Sequence, residues 1–361
     1  MAYTTIDDPS AHFQTTTYTG SGSSGNAITN SGNSDLKPDW LWIKSRSDTE
    51  QHTVYDSSRG STKRLMPDAT NAEFVNSTQG IQSFNTDGFT LGENDQNNKS
   101  SQNCVAWQWK ANGGTTSSNS NGSITSTVQA NTTAGFSIVT YTGNATAGAT
   151  IGHGLGVKPA VIIVKQRTDS AEWLFNSHAF ANNKAMYLNT TDALATDSFL
   201  NSTDPTTTVF TINGSNGANG SSDNLVAYCF AEVKGYSKFG SYTANGNVDG
   251  PFVYTGFKPA WVMFKQTNSS DTAHWFIYDS TRSPTNVIGD VGLAANLTNV
   301  EGLGSTWNPN TSDSVVDFVS NGFKIRTTAT AGFNISGNTM IYMAFAEHPF
   351  VSSKGVPVTA R

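Results

Sequence analysis

Residues 36–44, Leu-Lys-Pro-Asp-Trp-Leu-Trp-Ile-Lys, recur twice further along the chain. The second occurrence is residues 157–165, Val-Lys-Pro-Ala-Val-Ile-Ile-Val-Lys, and the third is residues 257–265, Phe-Lys-Pro-Ala-Trp-Val-Met-Phe-Lys. In each, a Lys-Pro pair precedes a short run of β-branched and aromatic residues, which predicts a strand that begins just after the proline. The chain is therefore predicted to contain three copies of one strand-rich unit.

Other motifs accompany each Lys-Pro strand in the same order. One is a strand whose phenylalanine is Phe89, Phe210 or Phe323, and another is a closing motif that begins at Ser101, Ser222 or Ser336. From the lysine of Lys-Pro to that serine is 64 positions in copies one and two (101 − 37 and 222 − 158) but 78 in copy three (336 − 258), so one loop of copy three is 14 residues longer. A period near 100 residues exceeds the roughly 20–50 residues of a solenoid unit and indicates whole domains.

The fold class predicted from this pattern is all-β, with three tandem antiparallel β-sandwich domains of jelly-roll or lectin-like type. Short apolar strands alternate with Gly, Asn and Ser clusters, and no long amphipathic helix is evident. The predicted boundaries are an N-terminal arm at 1–12, sandwiches at 13–111, 133–233 and 234–348, a flexible Gly/Ser/Asn-rich linker at 112–132, and a C-terminal arm at 349–361. The two arms are expected to dock onto neighbouring molecules.

Composition excludes several classes of function. Only 13% of the 361 residues are charged and the formal net charge is −6, so we expect no nucleic-acid binding, which requires a basic face. No run approaches the roughly 20 apolar residues that span a bilayer, so no membrane insertion is expected. The first residues resemble no secretory signal, and synthesis in a host cytoplasm is expected. Cys104 and Cys229 are predicted to be buried thiols and not a disulfide.

Copy two carries a resemblance to a known group. Residues 135–143 (Gly-Phe-Ser-Ile-Val-Thr-Tyr-Thr-Gly) are followed by residues 151–159 (Ile-Gly-His-Gly-Leu-Gly-Val-Lys-Pro). This order of a Tyr-Thr-Gly strand, a His-Gly-Leu turn and a Lys-Pro strand resembles repeat domains in structural proteins of marine tailed bacteriophages, including cyanophages. Residues 152–156 also resemble a phosphate-binding glycine loop, but a proline and a strand follow, so a tight turn with glycine at positive φ is predicted.

The resemblance implies a virion component: a tail fibre or tail-associated protein, or a capsid decoration protein. It also implies a homo-oligomer, most often a trimer, located in the virion among other virion proteins. From these expectations we predict a non-enzymatic structural protein that displays its sandwiches for attachment to a host surface polysaccharide. The alternative is a capsid decoration or cement protein, and a glycan-degrading enzyme is a third interpretation.

A repeated acidic triplet is the main candidate for ligand chemistry. The alignment places Asp56, Asn176 and Asp279 together, and Arg59 and Arg282 follow the two aspartates by three positions. One interpretation is a calcium or sugar ligand, and the other is an Asx-type turn that the arginine bridges. Asn176 can form the same Asx-type turn as an aspartate but lacks the negative charge that a calcium ligand would supply, so the turn is the favoured interpretation. We therefore predict no metal and no cofactor. Because no carboxylate pair recurs and no Ser-His-Asp spacing is found, we also predict no enzymatic activity.

The eight tryptophans fall into two groups. Five lie in repeat strands, where core or inter-sheet packing explains them: Trp40, Trp42, Trp107, Trp109 and Trp261. Trp173, Trp275 and Trp307 lie nearer to predicted loops, and Trp307 belongs to the longer loop of copy three. A flat ring in a polar loop can stack on a sugar face, so these three residues are predicted to contact a glycan.

Overall fold

The computed structural model describes residues 2–268, 273–284, 286, 291–302, 315–328 and 334–358. Almost all regular structure in these residues is antiparallel strand, which confirms the all-β prediction. The helices in the described part of the chain are short and include the 3₁₀ turn Pro9–Ala11 and the single-turn α-helices Asp95–Asn98 (α1) and Asn216–Asn219 (α2).

Copy one contains nine strands. They are Phe13–Thr19 (β1), Asn26–Ile28 (β2), Trp40–Ser45 (β3), Thr53–Asp56 (β4), Lys63–Arg64 (β5), Phe74–Val75 (β6), Ile81–Phe84 (β7), Phe89–Leu91 (β8) and Asn103–Trp109 (β9). A four-stranded sheet has the order β1-β9-β3-β4, and a three-stranded sheet has the order β2-β8-β7. The remaining pair, β5 and β6, forms a two-stranded ribbon.

Copy two and the segment before it contribute the next nine strands. They are Ser117–Asn119 (β10), Ser126–Asn131 (β11), Phe136–Thr142 (β12), Ala149–Gly152 (β13), Val161–Gln166 (β14), Leu174–Ser177 (β15), Met186–Tyr187 (β16), Val209–Ile212 (β17) and Asn224–Phe230 (β18). Seven of them form one sheet in the order β10-β11-β12-β18-β14-β15-β16, and β13 pairs with β17.

Copy three contributes eight strands within the described residues. They are Ser237–Thr243 (β19), Phe252–Tyr254 (β20), Phe257–Gln266 (β21), Phe276–Asp279 (β22), Leu293–Ala294 (β23), Val316–Val319 (β24), Gly322–Ile325 (β25) and Thr339–Pro349 (β26). The larger sheet has the order β19-β26-β21-β22-β23, and the smaller has the order β20-β25-β24.

The Lys-Pro strand occupies the same place in each larger sheet. β3, β14 and β21 each lie between the closing strand of the copy and the strand that follows in sequence. Their residues alternate between two apolar environments. In β3, Trp40 and Trp42 belong to one buried cluster, while Leu41 and Ile43 belong to another. A strand buried on both faces is apolar at every position, which explains the uninterrupted apolar run in the sequence.

The register of the strands corrects one alignment made from sequence. Val161 pairs with Ser177, whereas its counterparts Trp40 and Trp261 pair with Asp56 and Asp279. Ser177 therefore occupies the aspartate position in copy two, and Asn176 belongs to the opposite face. A shift of one residue reverses the face of every side chain in a strand, so Asn176 carries no information about the role of the aspartates.

The closing motif of copy three is also displaced by one residue. Ser101 and Ser222 have positive φ angles of 63° and 66°, and the residue with the matching conformation in copy three is Gly337, at 84°. The corresponding spacing is 79 positions (337 − 258), so the longer loop exceeds the others by 15 residues (79 − 64). Met343, and not Tyr342, then takes the place that Trp107 and Tyr228 hold in copies one and two.

One hydrophobic core is shared by all three copies. It contains Trp40 and Trp109 from copy one, Tyr228 and Phe230 from copy two, and Trp261 and Phe345 from copy three. Ring contacts join each pair of copies: Trp40 with Tyr228 at 4.8 Å, Trp109 with Trp261 at 5.6 Å, and Phe230 with Phe345 at 5.8 Å between centroids. The five tryptophans predicted to pack in the interior are buried, which confirms that prediction.

Three smaller cores each lie within one copy, between its larger and its smaller sheet. The expectation that each copy buries only a core of its own is therefore incomplete, since the three larger sheets also turn one face toward a common centre. Cys104 and Cys229 are buried free thiols, as predicted. Gly154 and Gly156 have φ angles of 73°, which confirms the tight turn with positive-φ glycines.

The predicted linker is structured. Residues 112–132 contain both β10 and β11, which extend the sheet of copy two. Gln129 is fully buried, and its Oε1 accepts from the backbone N–H groups of Asn112 and Gly114 in the same segment. Its Nε2 donates to the hydroxyls of Ser57 and Ser58, which fixes the segment to copy one. These hydrogen bonds hold residues 112–132 in one conformation, although the Gly/Ser/Asn-rich composition predicts a flexible linker.

The described parts of both arms pack on this chain itself. Ile6 is buried in the shared core, and Asp7 accepts a hydrogen bond from the backbone N–H of Ser353 at 2.6 Å. Phe350 donates from its backbone N–H to Gly256 O at 3.2 Å. The two arms therefore lie side by side against copy three.

Candidate functional site: the junctions between the three copies

Equivalent hydrogen bonds link the three copies in a ring. The residue before β4, β15 or β22 is His52, Trp173 or Trp275, and each is buried. Trp173 Nε1 donates to Met66 O of copy one at 2.8 Å, and Trp275 Nε1 donates to Tyr187 O of copy two at 2.9 Å. Each copy is thus bound by the next through the same kind of contact, a head-to-tail interface that closes after three units.

His52 completes the ring through its Nε2, which lies 3.0 Å from Ala294 O of copy three. Trp42 Nε1 donates to His52 Nδ1 at 2.9 Å, so the proton of the neutral ring is on Nε2 and is donated to the carbonyl. Burial holds the pKa of His52 well below its usual value, and the charge of Lys44 lowers it further. The imidazole therefore acts as a neutral structural donor.

These contacts correct the glycan prediction for two of its three residues. Trp173 and Trp275 are 0% and 1% exposed, so neither ring offers a face to a sugar. Each is instead a large apolar side chain with one N–H donor satisfied by a carbonyl of another copy. Trp307 lies outside the described residues.

A buried ion network occupies the junction between copies one and two. The side chains of Asp56 and Arg59 are completely buried and paired with each other. Arg59 also pairs with Glu73 at 2.8 Å, and Glu73 in turn pairs with Arg167 of copy two at 2.8 Å. The Tyr228 hydroxyl of copy two donates to Asp56 Oδ2 at 2.7 Å. Charges from both copies thus meet in one water-excluded network.

The same network recurs between copies three and one. Asp279 and Arg282 form the buried pair, and Arg282 pairs with Glu301 at 2.9 Å. Glu301 pairs with Arg46 of copy one at 2.6 Å. Trp107 of copy one donates from Nε1 to Asp279 Oδ2 at 2.9 Å, taking the role of Tyr228.

The junction between copies two and three is different. Ser177 replaces the aspartate. Phe180, three positions later, takes the place of the arginine, and Leu194 and Thr267 take the places of the glutamate and the second arginine. The backbone contact is kept, since Leu194 N–H donates to Thr267 O at 2.9 Å, as Glu73 does to Arg167 and Glu301 to Arg46. Leu194 and Phe180 pack against the shared core, so this junction is apolar where the other two are ionic.

The charges in the networks stabilise one another. Burial alone lowers the pKa of Arg59, but the carboxylate of Asp56 reverses this and raises it above the usual value. Burial raises the pKa of Glu73, but hydrogen bonds and charge from Arg167 and Arg59 bring it below its usual value. Asp56 and Asp279 each accept the backbone N–H of the arginine three positions later, at 2.8 and 2.9 Å. This confirms the turn bridged by an arginine.

The lysine that ends each Lys-Pro motif is also buried. Lys44, Lys165 and Lys265 are each 0% exposed. Lys165 Nζ donates to Thr70 O of copy one at 3.2 Å, and Lys265 Nζ donates to Thr191 O of copy two at 2.8 Å. Lys44 donates to carbonyls of its own copy, those of Ser45 and Asp48. Two of the three therefore add further bonds across the junctions.

Burial lowers the pKa of Lys44 and Lys165 to about 8 and that of Lys265 to about 7. Sequence reasoning did not single out these lysines, although the signal was present: a lysine followed four apolar residues at the same place in all three motifs. A charged residue that recurs inside a buried strand indicates a specific partner for its ammonium group.

Surface clefts at the junctions are small. One of about 330 Å³ lies between copies one and three and is lined by Gln14, Lys258, Ser280 and Glu347. Lys258 and Glu347, both of copy three, pair with each other at 2.9 Å in its wall. In the described parts of the chain, no three His, Cys, Asp or Glu side chains cluster in a way that could hold a metal ion.

Comparison with known proteins identifies a family. A family described as Domain of unknown function (DUF7483) matches residues 8–349, a stretch that includes all three copies. No curated protein and no solved structure matches the chain. Among the described helices, none has the length and apolar character needed to cross a bilayer.

Proposed function

We propose that this chain, which belongs to the family described as Domain of unknown function (DUF7483), is a non-enzymatic structural protein of a bacteriophage virion. Its role is that of a tail fibre or tail-associated component that displays β-sandwich units for attachment to host-surface glycans. Each unit consists of one larger and one smaller sheet, in a jelly-roll or lectin-like arrangement.

The observation that carries this proposal is the closed ring of the three copies. Cross-copy bonds from His52, Trp173 and Trp275 lock every copy to both neighbours. Such a body resists shear and proteolysis because no copy can separate without exposing the shared core. Rigid presentation of outer loops suits an attachment protein.

A second candidate is a capsid decoration or cement protein. The observation that favours it is the position of the two arms, which lie together beside exposed apolar residues, among them Tyr254, Val356 and Val358. A cement protein needs such a contact face, whereas an adhesin needs exposed polar loops. A glycan-degrading enzyme remains the third interpretation, and finding new reducing ends after incubation with host polysaccharide would favour it.

The test is electron cryomicroscopy of the particle together with quantitative mass spectrometry of its proteins. A tail location with copy numbers of about 6, 12 or 18 supports the fibre role, since these follow from tail symmetry. Density over the capsid with about a hundred copies or more favours the cement role. Absence from purified particles would refute both.

The oligomer is a separate part of the proposal. The ring contacts of the three copies are already used within one chain, so the expected homotrimer must form through other surfaces. Light scattering of the purified chain measures this directly. A mass near 115 kDa, three times the chain mass of 38.4 kDa, supports the trimer, and a mass of one chain argues against it.

A further inference from the structure

The smaller sheet of each copy begins with an edge strand at the same structural position. β2, β13 and β20 pair with strands whose aligned phenylalanines are Phe89, Phe210 and Phe323. The residues opposite these phenylalanines are Ile28, Ile151 and Val253, and all three are buried. The residues on either side of this buried position point to the opposite face of the strand, and they differ among the three copies.

In copy two this edge is covered by another part of the chain. Ile124 forms a parallel bridge with Ile151 and donates its N–H to Thr150 O at 3.1 Å. The backbone N–H of Ser123 donates to the Thr150 hydroxyl at 2.8 Å, and the Ser126 hydroxyl donates to Gly152 O at 2.8 Å. An extended, uncharged segment with one β-branched apolar residue therefore satisfies the edge of β13.

In copy three the corresponding edge carries two exposed aromatic rings. Phe252 and Tyr254 are 48% and 55% exposed, on either side of the buried Val253. In the part of the chain that the structure describes, β25 is the one strand paired with β20. Copy one has the small residues Ala27 and Thr29 at these two places, both exposed. An open edge with large apolar side chains is the form that natural sheets avoid unless a partner strand covers it.

The apolar surface continues from β20 to the two arms. The Tyr3 hydroxyl lies 3.1 Å from the Tyr254 hydroxyl and donates to Gly256 O at 2.8 Å. The C-terminal arm reaches the same point, with Val356 and Val358 58% and 43% exposed. Lys324, opposite Phe252, pairs with Asp249 at 2.7 Å, so its charge is already neutralised. The exposed aromatic and aliphatic side chains beside this pair match a ligand that carries apolar groups and little charge.

We propose that the open edge of β20 binds an extended, uncharged strand of a partner protein, with a β-branched apolar residue beside Val253 as Ile124 lies beside Ile151. Backbone hydrogen bonds supply the affinity, and the rings of Phe252 and Tyr254 pack on the residues that flank this one, as in strand addition generally. A second copy of this chain is the less suitable occupant. Twofold pairing of an edge strand with itself is antiparallel, whereas the segment that covers the edge in copy two runs parallel to it. The inference does not depend on the virion role.

The experiment uses the full chain and a fluorescent peptide with the sequence of residues 121–127, Asn-Gly-Ser-Ile-Thr-Ser-Thr. Anisotropy measures binding to the wild-type chain and to the double variant Phe252→Ala/Tyr254→Thr, which carries the residues of copy one. Phe74→Ala removes another exposed aromatic ring, 44% exposed in copy one, and is the matched control. Circular dichroism and the melting temperature establish that each variant is folded.

We expect saturable binding to the wild-type chain and to Phe74→Ala, at least tenfold weaker binding to the double variant, and slower hydrogen exchange of residues 252–254 when peptide is bound. A peptide with aspartate in place of Ile124 should bind at least tenfold more weakly. Absence of saturable binding up to millimolar protein, or equal affinity for the double variant, would overturn the proposal. Dimerisation of the wild-type chain that the double variant abolishes would also overturn it, in favour of a second copy.

Discussion

Asp279→Ala tests the junction between copies three and one most sharply. The carboxylate is completely buried, pairs with Arg282 and accepts a hydrogen bond from Trp107 of copy one at 2.9 Å. Removing one partner of a buried ion pair costs about 3–5 kcal/mol, because the other charge remains buried. Glu301 still pairs with Arg282, which places the expected loss toward the lower end of that range.

The matched control is Ser177→Ala, at the same position in copy two. Its hydroxyl accepts a hydrogen bond from the backbone N–H of Ala179 at 3.2 Å, so we expect a loss of about 0.5–1.5 kcal/mol. At about 2.1 cal/mol/K per residue, the entropy of unfolding of 361 residues is about 0.76 kcal/mol/K. A loss of about 3 kcal/mol therefore lowers the melting temperature by about 4 °C, and the loss in the control lowers it by about 1–2 °C.

Urea denaturation of both variants measures the two losses. A double-mutant cycle with Trp107→Phe isolates the contact between the copies, for which we expect a coupling energy of about 1 kcal/mol or more. Equal losses for Asp279→Ala and Ser177→Ala would refute the reasoning that the buried networks hold the junctions. A coupling energy below about 0.3 kcal/mol would show that the hydrogen bond between Trp107 and Asp279 does not stabilise the junction.

Three further predictions follow from the same contacts. Trp173→Phe keeps an aromatic ring but removes the N–H that donates to Met66 O, which still accepts from the backbone N–H of Ala69 at 3.1 Å. We therefore expect a loss of about 0.5–1.5 kcal/mol in urea denaturation and unchanged binding on a glycan array; lost glycan binding would support a sugar site at Trp173. The free energy of unfolding should rise between about pH 7 and 9.5. The folded pKa values of the three buried lysines lie below the unfolded value of about 10.4, so the unfolded chain binds more protons throughout that window. Lys165→Met should reduce the slope of unfolding free energy against pH by up to about 1.4 kcal/mol per pH unit, and an unaltered slope would contradict a lowered pKa for Lys165. Gln129→Ala leaves two backbone N–H groups unsatisfied, so limited proteolysis should cut within 112–132 in the variant but not in the wild type; equal cutting would mean that the amide does not hold the segment.

Much of the fold follows from the sequence because local patterns determine it. Apolar strands after Lys-Pro, punctuated by Gly and Asn, predicted the all-β class, the repeated strand order and the burial of Trp40 and Trp261. The proposed turn of Asp56 with Arg59 also followed, since its donor and acceptor lie three positions apart.

The rest depends on contacts between distant segments. Asn176 was placed one position from its structural counterpart because a small residue beside a strand aligns equally well in two registers. Trp173 was assigned to a surface loop because its partner, Met66 O, lies 107 positions away and has no sequence signature. The shared core was missed because a repeat of about 100 residues is long enough to suggest separate cores, and nothing local indicates which strand faces a neighbour.

The shared core and the ring of cross-copy bonds predict that the three copies unfold as one unit. Differential scanning calorimetry of the intact chain measures this, with an expected total enthalpy near 250 kcal/mol at about 0.7 kcal/mol per residue. We expect one endotherm whose van't Hoff enthalpy equals the calorimetric enthalpy. Separate transitions, or a van't Hoff enthalpy near one third of the calorimetric value, would contradict it.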